Sequence, residues 1–267
     1  MDMKKETGMT QGAGLRAEKI SRNYFRKGNG TNFFTAVKET DLILAPGTLT
    51  EIVGRSGSGK STLLNMMAGL LEPTGGKIRL GDIDLYALDD EARSRVRNER
   101  IGVIPQGQTG LHSLTVLENV MLPYLLYYGA GEKKAGRTAA GTAAEAAAGT
   151  GGAPSNTEEA KTRALELLER VGLLHLKDVW PNELSGGEMR RLSIARALLM
   201  KPEILLADEP TGDLDDDNTR TVLRLLRECA DQGTAVLLVT HERDAAPYAD
   251  TIYRMSDGVL APGDRDA

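Results

Sequence analysis

Eight consecutive residues, Gly54-Arg55-Ser56-Gly57-Ser58-Gly59-Lys60-Ser61, satisfy the spacing G-x-x-x-x-G-K-[ST]. Glycines so placed let backbone N–H groups turn inward around a polyphosphate, and a helix starting at the end of the loop adds the positive end of its dipole. Lys60 would reach the terminal phosphates and Ser61 would ligate Mg²⁺, with Thr62 next in the binding set. A Gly/Ser-rich surface turn is the alternative. The flanks argue against it, because Thr50-Glu51-Ile52-Val53 reads as a strand and Thr62–Leu70 as an apolar helical run.

A phosphate loop needs a metal and a base. Glu203-Ile204-Leu205-Leu206-Ala207-Asp208-Glu209 is an apolar run ending in two carboxylates, and in open α/β sheets ligands sit beyond the carboxyl ends of strands. Asp208 would hold Mg²⁺ and Glu209 would polarise the attacking water. Taken alone, an acidic strand-end turn explains the pair equally simply. Leu184-Ser185-Gly186-Gly187-Glu188 is sharper. Ser185 with Glu188 forms a capping box, which accounts for those two residues but not for the glycines between them. Glycines at a helix N-terminus allow close approach of an anion, so the segment reads as a second phosphate-binding surface. One compact chain cannot readily grip one nucleotide with two helix N-termini, which suggests a partner subunit.

The elements that would position these groups follow from periodicity. Short β-type segments alternate with turns from Leu15 to Val53, and Gly75–Leu85 reads as an edge or a small antiparallel pair. Helical patterns occupy Asp89–Glu99, Thr115–Tyr127, Glu158–Val171 and Glu188–Leu199; apolar strands are expected at Ile204–Ala207 and Ala235–Val239. Strand and helix alternate at both ends, which implies a mostly parallel sheet with helices on its faces. Gly129–Asn156 is mainly Ala, Gly and Thr, without a large apolar side chain to offset the entropy of ordering, and reads as a largely disordered insertion.

Composition limits the function classes. A chain of 267 residues, 40% hydrophobic, can build a buried core, and its apolar runs fall short of the roughly 18 residues that a membrane span requires. Met1–Lys19 lacks the apolar stretch of a signal peptide, so the chain is expected to stay where it is made. A net charge of −5 argues against a general nucleic-acid binder. Arg93, Arg95, Arg97 and Arg100 interleave with Asp89, Asp90, Glu91 and Glu99 and read as a solvated helix face. The single cysteine, Cys229, sits among Leu225, Leu226 and Ala230 and reads as a helix-packing residue. His112 and His175 carry no signal beyond solvated or structural histidines.

The phosphate loop, Leu184–Glu188 continuing through Arg190-Arg191-Leu192-Ser193-Ile194-Ala195-Arg196, Asp208-Glu209-Pro210 and Thr211-Gly212-Asp213-Leu214-Asp215 together resemble the nucleotide-binding domain of ABC transporters. The resemblance implies an α/β fold with a P-loop NTPase core around a mostly parallel sheet, a small antiparallel β subdomain and an α-helical subdomain. It implies one ATPase domain over 15–259, a helical subdomain over 107–199 carrying the insertion 129–156, and flexible tails at 1–14 and 260–267. It implies ATP and Mg²⁺ as cofactors. Tyr24 resembles the aromatic that stacks on adenine, simple packing being the alternative. Gln106 resembles the glutamine that senses Mg²⁺ and water and faces the membrane partner. Asp213 resembles part of the loop that crosses the dimer interface, and His241 the histidine that contacts the γ-phosphate.

The implied chemistry is ATP hydrolysis at sites shared by a head-to-tail pair, identical or not, docked to a separate transmembrane permease at the cytoplasmic face of the membrane. Departures are Arg190 where Gln is common, the filler Arg55, Asp213 where Asn is frequent, and the insertion. The wording around Leu114–Val120 most resembles the branch serving lipoprotein release, macrolide export and antimicrobial-peptide resistance. An ATPase of a membrane signalling complex that moves no solute is the alternative.

Overall fold

A computed structural model describes residues 14–28, 30–107, 109–128, 153–212, 214–242 and 244–264. Asp213, Met1–Ala13 and most of the insertion lie outside these residues.

The central sheet has six strands in the order β10-β9-β3-β8-β7-β6. They are β3 (Leu49–Val53), β6 (Ile101–Ile104), β7 (Ile204–Asp208), β8 (Ala235–Thr240), β9 (Thr251–Ser256) and β10 (Val259–Pro262). All neighbours pair in parallel except β10, which runs antiparallel to β9. The strands β7 and β8 are buried throughout, which is why they read as unbroken apolar runs. Leu260–Pro262, expected in a flexible tail, instead continue β10 with partners Met255, Arg254 and Tyr253.

A second, antiparallel sheet packs beside it in the order β2-β1-β4-β5, formed by β1 (Leu15–Gly28), β2 (Gly30–Leu44), β4 (Gly75–Leu80) and β5 (Ile83–Asp84). The short segments expected before Val53 are thus two long strands, paired with register shifts between Ala17 and Asn23. Those bulges break the two-residue alternation and hide the strands' length from a periodicity reading.

Helices cover both faces. Helix α1 (Lys60–Met67) and the antiparallel sheet enclose one core with Ile52, Leu206, Leu237 and Val239. On the opposite face, Leu49, Leu205, Ala207, Val236 and Leu238 pack against α3 (Val116–Tyr127), α4 (Thr157–Arg170), α5 (Gly186–Leu198) and α6 (Asp216–Asp231). Asn156, read as the end of the insertion, is the N-cap of α4, its side chain accepting from the Glu159 N–H at 2.9 Å. Cys229 is buried on α6, and burial pushes its thiol up to about 11.

Helix α2 (Asp90–Arg100) corrects the solvated-face reading. Arg100 is buried and forms a two-pronged pair with Glu203 at 2.6 and 2.9 Å, and Arg97 donates to the Gly69 carbonyl at 3.1 Å. Partners 103 and 28 residues away are invisible to local charge patterning.

Candidate nucleotide site

Parallel order brings the ends of β3, β6, β7 and β8 to one edge, and with them the loop 54–59, Gln106, Asp208–Glu209 and His241. Of these, Gly54–Ser58, Gln106, Glu209 and His241 line a cavity of about 1280 Å³, together with Arg254 and Asp257.

The loop geometry depends on glycine. Gly59 has φ +109°, and a Cβ there would also stand 2.3 Å from the Ala36 carbonyl oxygen, so conformation and space both exclude a side chain. Lys60 is 5% exposed and donates to the carbonyl oxygens of Gly54 at 2.7 Å and Arg55 at 3.1 Å. The ammonium therefore lies within the curl of the loop, held by acceptors that anionic oxygens could replace.

Asp208 ends β7 at 6% exposure. Burial raises its pKa, while the Ser61 hydroxyl, hydrogen-bonded to the carboxylate, opposes that shift. Its Oδ1 has no hydrogen-bond partner, so a buried carboxylate oxygen remains beside a serine hydroxyl. Such a set of oxygen donors fits a hard divalent cation such as Mg²⁺.

The chain then turns sharply. Glu209 adopts φ +47°, unusual for a residue with a side chain, while its N–H donates to Val239 at 2.8 Å. Its carboxylate is gripped from both sides. Gln106 donates from Nε2 to Oε2 at 2.9 Å, and His241 Nδ1 lies 3.0 Å from Oε1. The imidazole is 53% exposed and the carboxylate 17%, so the cluster opens onto the cavity. A carboxylate held in this way can accept a proton from a water placed before it.

Neither Tyr24 nor Ser185-Gly186-Gly187 is among the described residues lining this cavity. Tyr24 stacks under the Arg22 guanidinium, 4.8 Å from ring centroid to Cζ, and pairs across the hairpin with Phe34. Ser185 caps α5 as expected: its hydroxyl and N–H both donate to Glu188 at 2.7 Å and hold that carboxyl below its ordinary range. A Cβ on Gly187 would meet only ordinary contacts at 3.5 Å or beyond, so packing within the subunit does not require glycine there.

Sequence reasoning missed the ties between α5 and the Gln106 loop. Arg190 donates to the Pro105 carbonyl at 3.0 Å, Arg196 donates to the Thr109 carbonyl at 2.8 Å, and the Thr109 and Ser193 hydroxyls bond at 3.1 Å. It also missed Glu51, a buried carboxylate lining the cavity. Single residues inside a strand or helix carry no motif, and only a polar residue at an inward position of β3 could have raised the question.

The family model described as ABC transporter matches residues 37–212. The chain belongs to the ABC transporter family. Among curated ABC relatives, the lipoprotein-releasing system ATP-binding protein LolD of Xanthomonas oryzae pv. oryzae is 39% identical over 92% of this chain and 89% of that protein. The methionine import ATP-binding protein MetN of Cereibacter sphaeroides is also 39% identical, over 90% of this chain and 62% of that protein. Among solved structures, the bacterial ABC transporter cassette MJ0796, a dimer, superposes with a TM-score of 0.76 at 32% identity, covering 93% of this chain and 98% of that one. The same cassette in a post-hydrolysis state bound to ADP and Pi gives the same score at 31% identity. This ABC chain is accordingly an ATP-binding and ATP-hydrolysing subunit that powers a membrane transporter. No helix among its described residues is long and apolar enough to cross a membrane.

Proposed function

We propose that this cassette drives a transporter that extrudes a lipid-linked or peptide cargo, and that it works as a head-to-tail pair docked to a separate permease at the cytoplasmic membrane face. The observation that carries the enzymatic part is the Glu209 carboxylate held between Gln106 and His241. The export direction rests on the match to LolD, which spans 89% of that protein against 62% for MetN.

In this reading Lys60 releases the carbonyls of Gly54 and Arg55 to meet the β- and γ-phosphates, and the N–H groups of residues 54–62 cradle them. Ser61, Asp208 and Gln106 would hold Mg²⁺, which when bound neutralises charge developing on the phosphoryl oxygens. Glu209 orients the attacking water and accepts its proton, while His241 steadies Glu209 and faces the γ-phosphate. The adenine stacks on Tyr24. Ser185, Gly186 and Gly187 close on the nucleotide of the opposite subunit, with Asp213 near that interface, and the absence of any packing need for glycine at 187 supports an outside contact there. ATP favours the closed pair by binding it more tightly than the open one.

Reconstitution with the membrane protein that co-purifies with the chain tests the reading. Turnover should rise on adding an acylated peptide and stay unchanged with methionine. Stimulation by methionine instead would reverse the assignment of direction.

A further inference from the structure

Glu51 has no part in the site described so far. It lies in β3 on the face that carries Leu49 and Val53, with Leu238 of β8 and Ile252 of β9 as cross-strand neighbours. Its side chain is 0% exposed, and neither Oε1 nor Oε2 has a hydrogen-bond partner. It nevertheless lines the cavity that holds the loop, Glu209 and His241.

The charged groups of the neighbouring elements are engaged elsewhere or distributed around the cavity. Lys60 is held by loop carbonyls, and Arg227 of α6 by Asp231, Asp250 and the Tyr248 carbonyl. Arg55 of the loop and Arg254 of β9 line the cavity, as do Asp257 and Asp264, but none bonds to Glu51. A buried carboxylate without a partner favours its neutral form, and burial pushes the Glu51 pKa up to about 7. Glu51 precedes Gly54 by three residues, about 10 Å along a strand. At an effective dielectric of about 20, each net negative charge of the nucleotide with its Mg²⁺ at that distance disfavours its ionisation by roughly tenfold.

We infer that Glu51 is a proton-linked positioning residue of the nucleotide site: the arrival of phosphates at Gly54–Ser61 is coupled to uptake of a proton by its carboxylate. The inference rests on the reading of that loop as the phosphate site. One proton passes from solvent to a Glu51 oxygen as nucleotide binds and returns on release; no other bond changes. The neutral acid leaves β3 free of a charge that would repel the phosphates. By reciprocity, affinity falls as pH rises through neutrality, by at most about tenfold per pH unit for one linked proton.

Calorimetric titration of the full chain with ADP and Mg²⁺, near pH 7 in buffers of different ionisation enthalpy, counts the protons exchanged. The nucleotide's own ionisation is common to all variants and cancels in the comparison. Wild type is expected to take up more protons than Glu51→Gln, whose affinity should vary less with pH. Equal uptake in the two, or uptake lost with His241→Gln instead, overturns the inference. Should Glu51→Gln fail to fold, Glu51→Leu serves, and the wild-type infrared spectrum is an independent readout. Growth of a carboxylic-acid carbonyl band on binding supports the inference, and no growth overturns it. Absence of binding by wild type would overturn the phosphate-loop reading as well.

Discussion

Arg190 donates from Nη1 to the carbonyl oxygen of Pro105 at 3.0 Å, joining the second turn of α5 to the residue that precedes Gln106. A movement of the helix capped by Ser185 is therefore expected to reach the glutamine bonded to Glu209, because Pro105 adjoins Gln106. A hydrogen bond from a charged donor is worth about 1.5–3 kcal/mol. Arg190→Ala is expected to lower ATP turnover roughly tenfold while nucleotide affinity stays near that of the parent, as steady-state kinetics beside calorimetry would reveal. Equal losses in both would mean that the contact only stabilises the fold.

Glu209→Gln keeps the size of the side chain and removes the carboxylate to which the proposed mechanism assigns the proton. Turnover should fall by roughly 10² to 10⁴ with ATP binding retained, the usual effect of losing a general base. Light scattering should then detect an ATP-dependent dimer. Near-normal turnover with only monomer present would move the base elsewhere.

Lys60→Ala removes the ammonium that Gly54 and Arg55 hold in the loop. Tight binding of ATP with Mg²⁺ should be lost, because the proposed mechanism makes this charge the main side-chain partner of the terminal phosphates. Calorimetry returning the parental affinity would refute the assignment.

Ser185→Arg introduces bulk and charge at the start of α5, outside the cavity of its own subunit. ATP binding to the isolated chain should survive while hydrolysis stops. A variant with parental turnover would contradict sites shared between subunits.

Stability should carry the mark of Glu51. Its folded-state pKa of about 7 lies above the ordinary 4.5, so between those values the folded chain keeps a proton that the unfolded chain has shed. That contribution is complete below the ordinary value and disappears as pH rises through about 7. Urea midpoints should therefore fall between pH 5 and pH 8 more steeply for wild type than for Glu51→Gln, with unchanged slopes. Parallel pH profiles would show that Glu51 ionises freely in the fold.

Much of this was legible in the residues because the chemistry is local there. The loop 54–61, the pair Asp208–Glu209 and the cap Ser185–Glu188 each need a fixed spacing within one turn or strand end, and each forms where the pattern lies. The convergence of Gln106, Glu209 and His241 required only the additional rule that parallel strands end at a common edge. What stayed hidden depends on long-range partners. Arg100 resembles any surface arginine until Glu203 is placed beside it, and Glu51 resembles the outward residue of a half-exposed strand until the helices packed on that face of the sheet bury it. The bulged register of β1 likewise concealed a continuous hairpin.

The chain's one cysteine acquires a practical meaning from its position on α6. Cys229 is packed against the sheet with its thiol pushed up to about 11, and thiolate chemistry is therefore suppressed while the helix stays in place. Alkylating reagents should ignore the native protein and mark it only when α6 lifts away, so the rate of modification becomes a clock for that opening. The same silence makes the natural chain a ready background for fluorophores attached at cysteines introduced elsewhere.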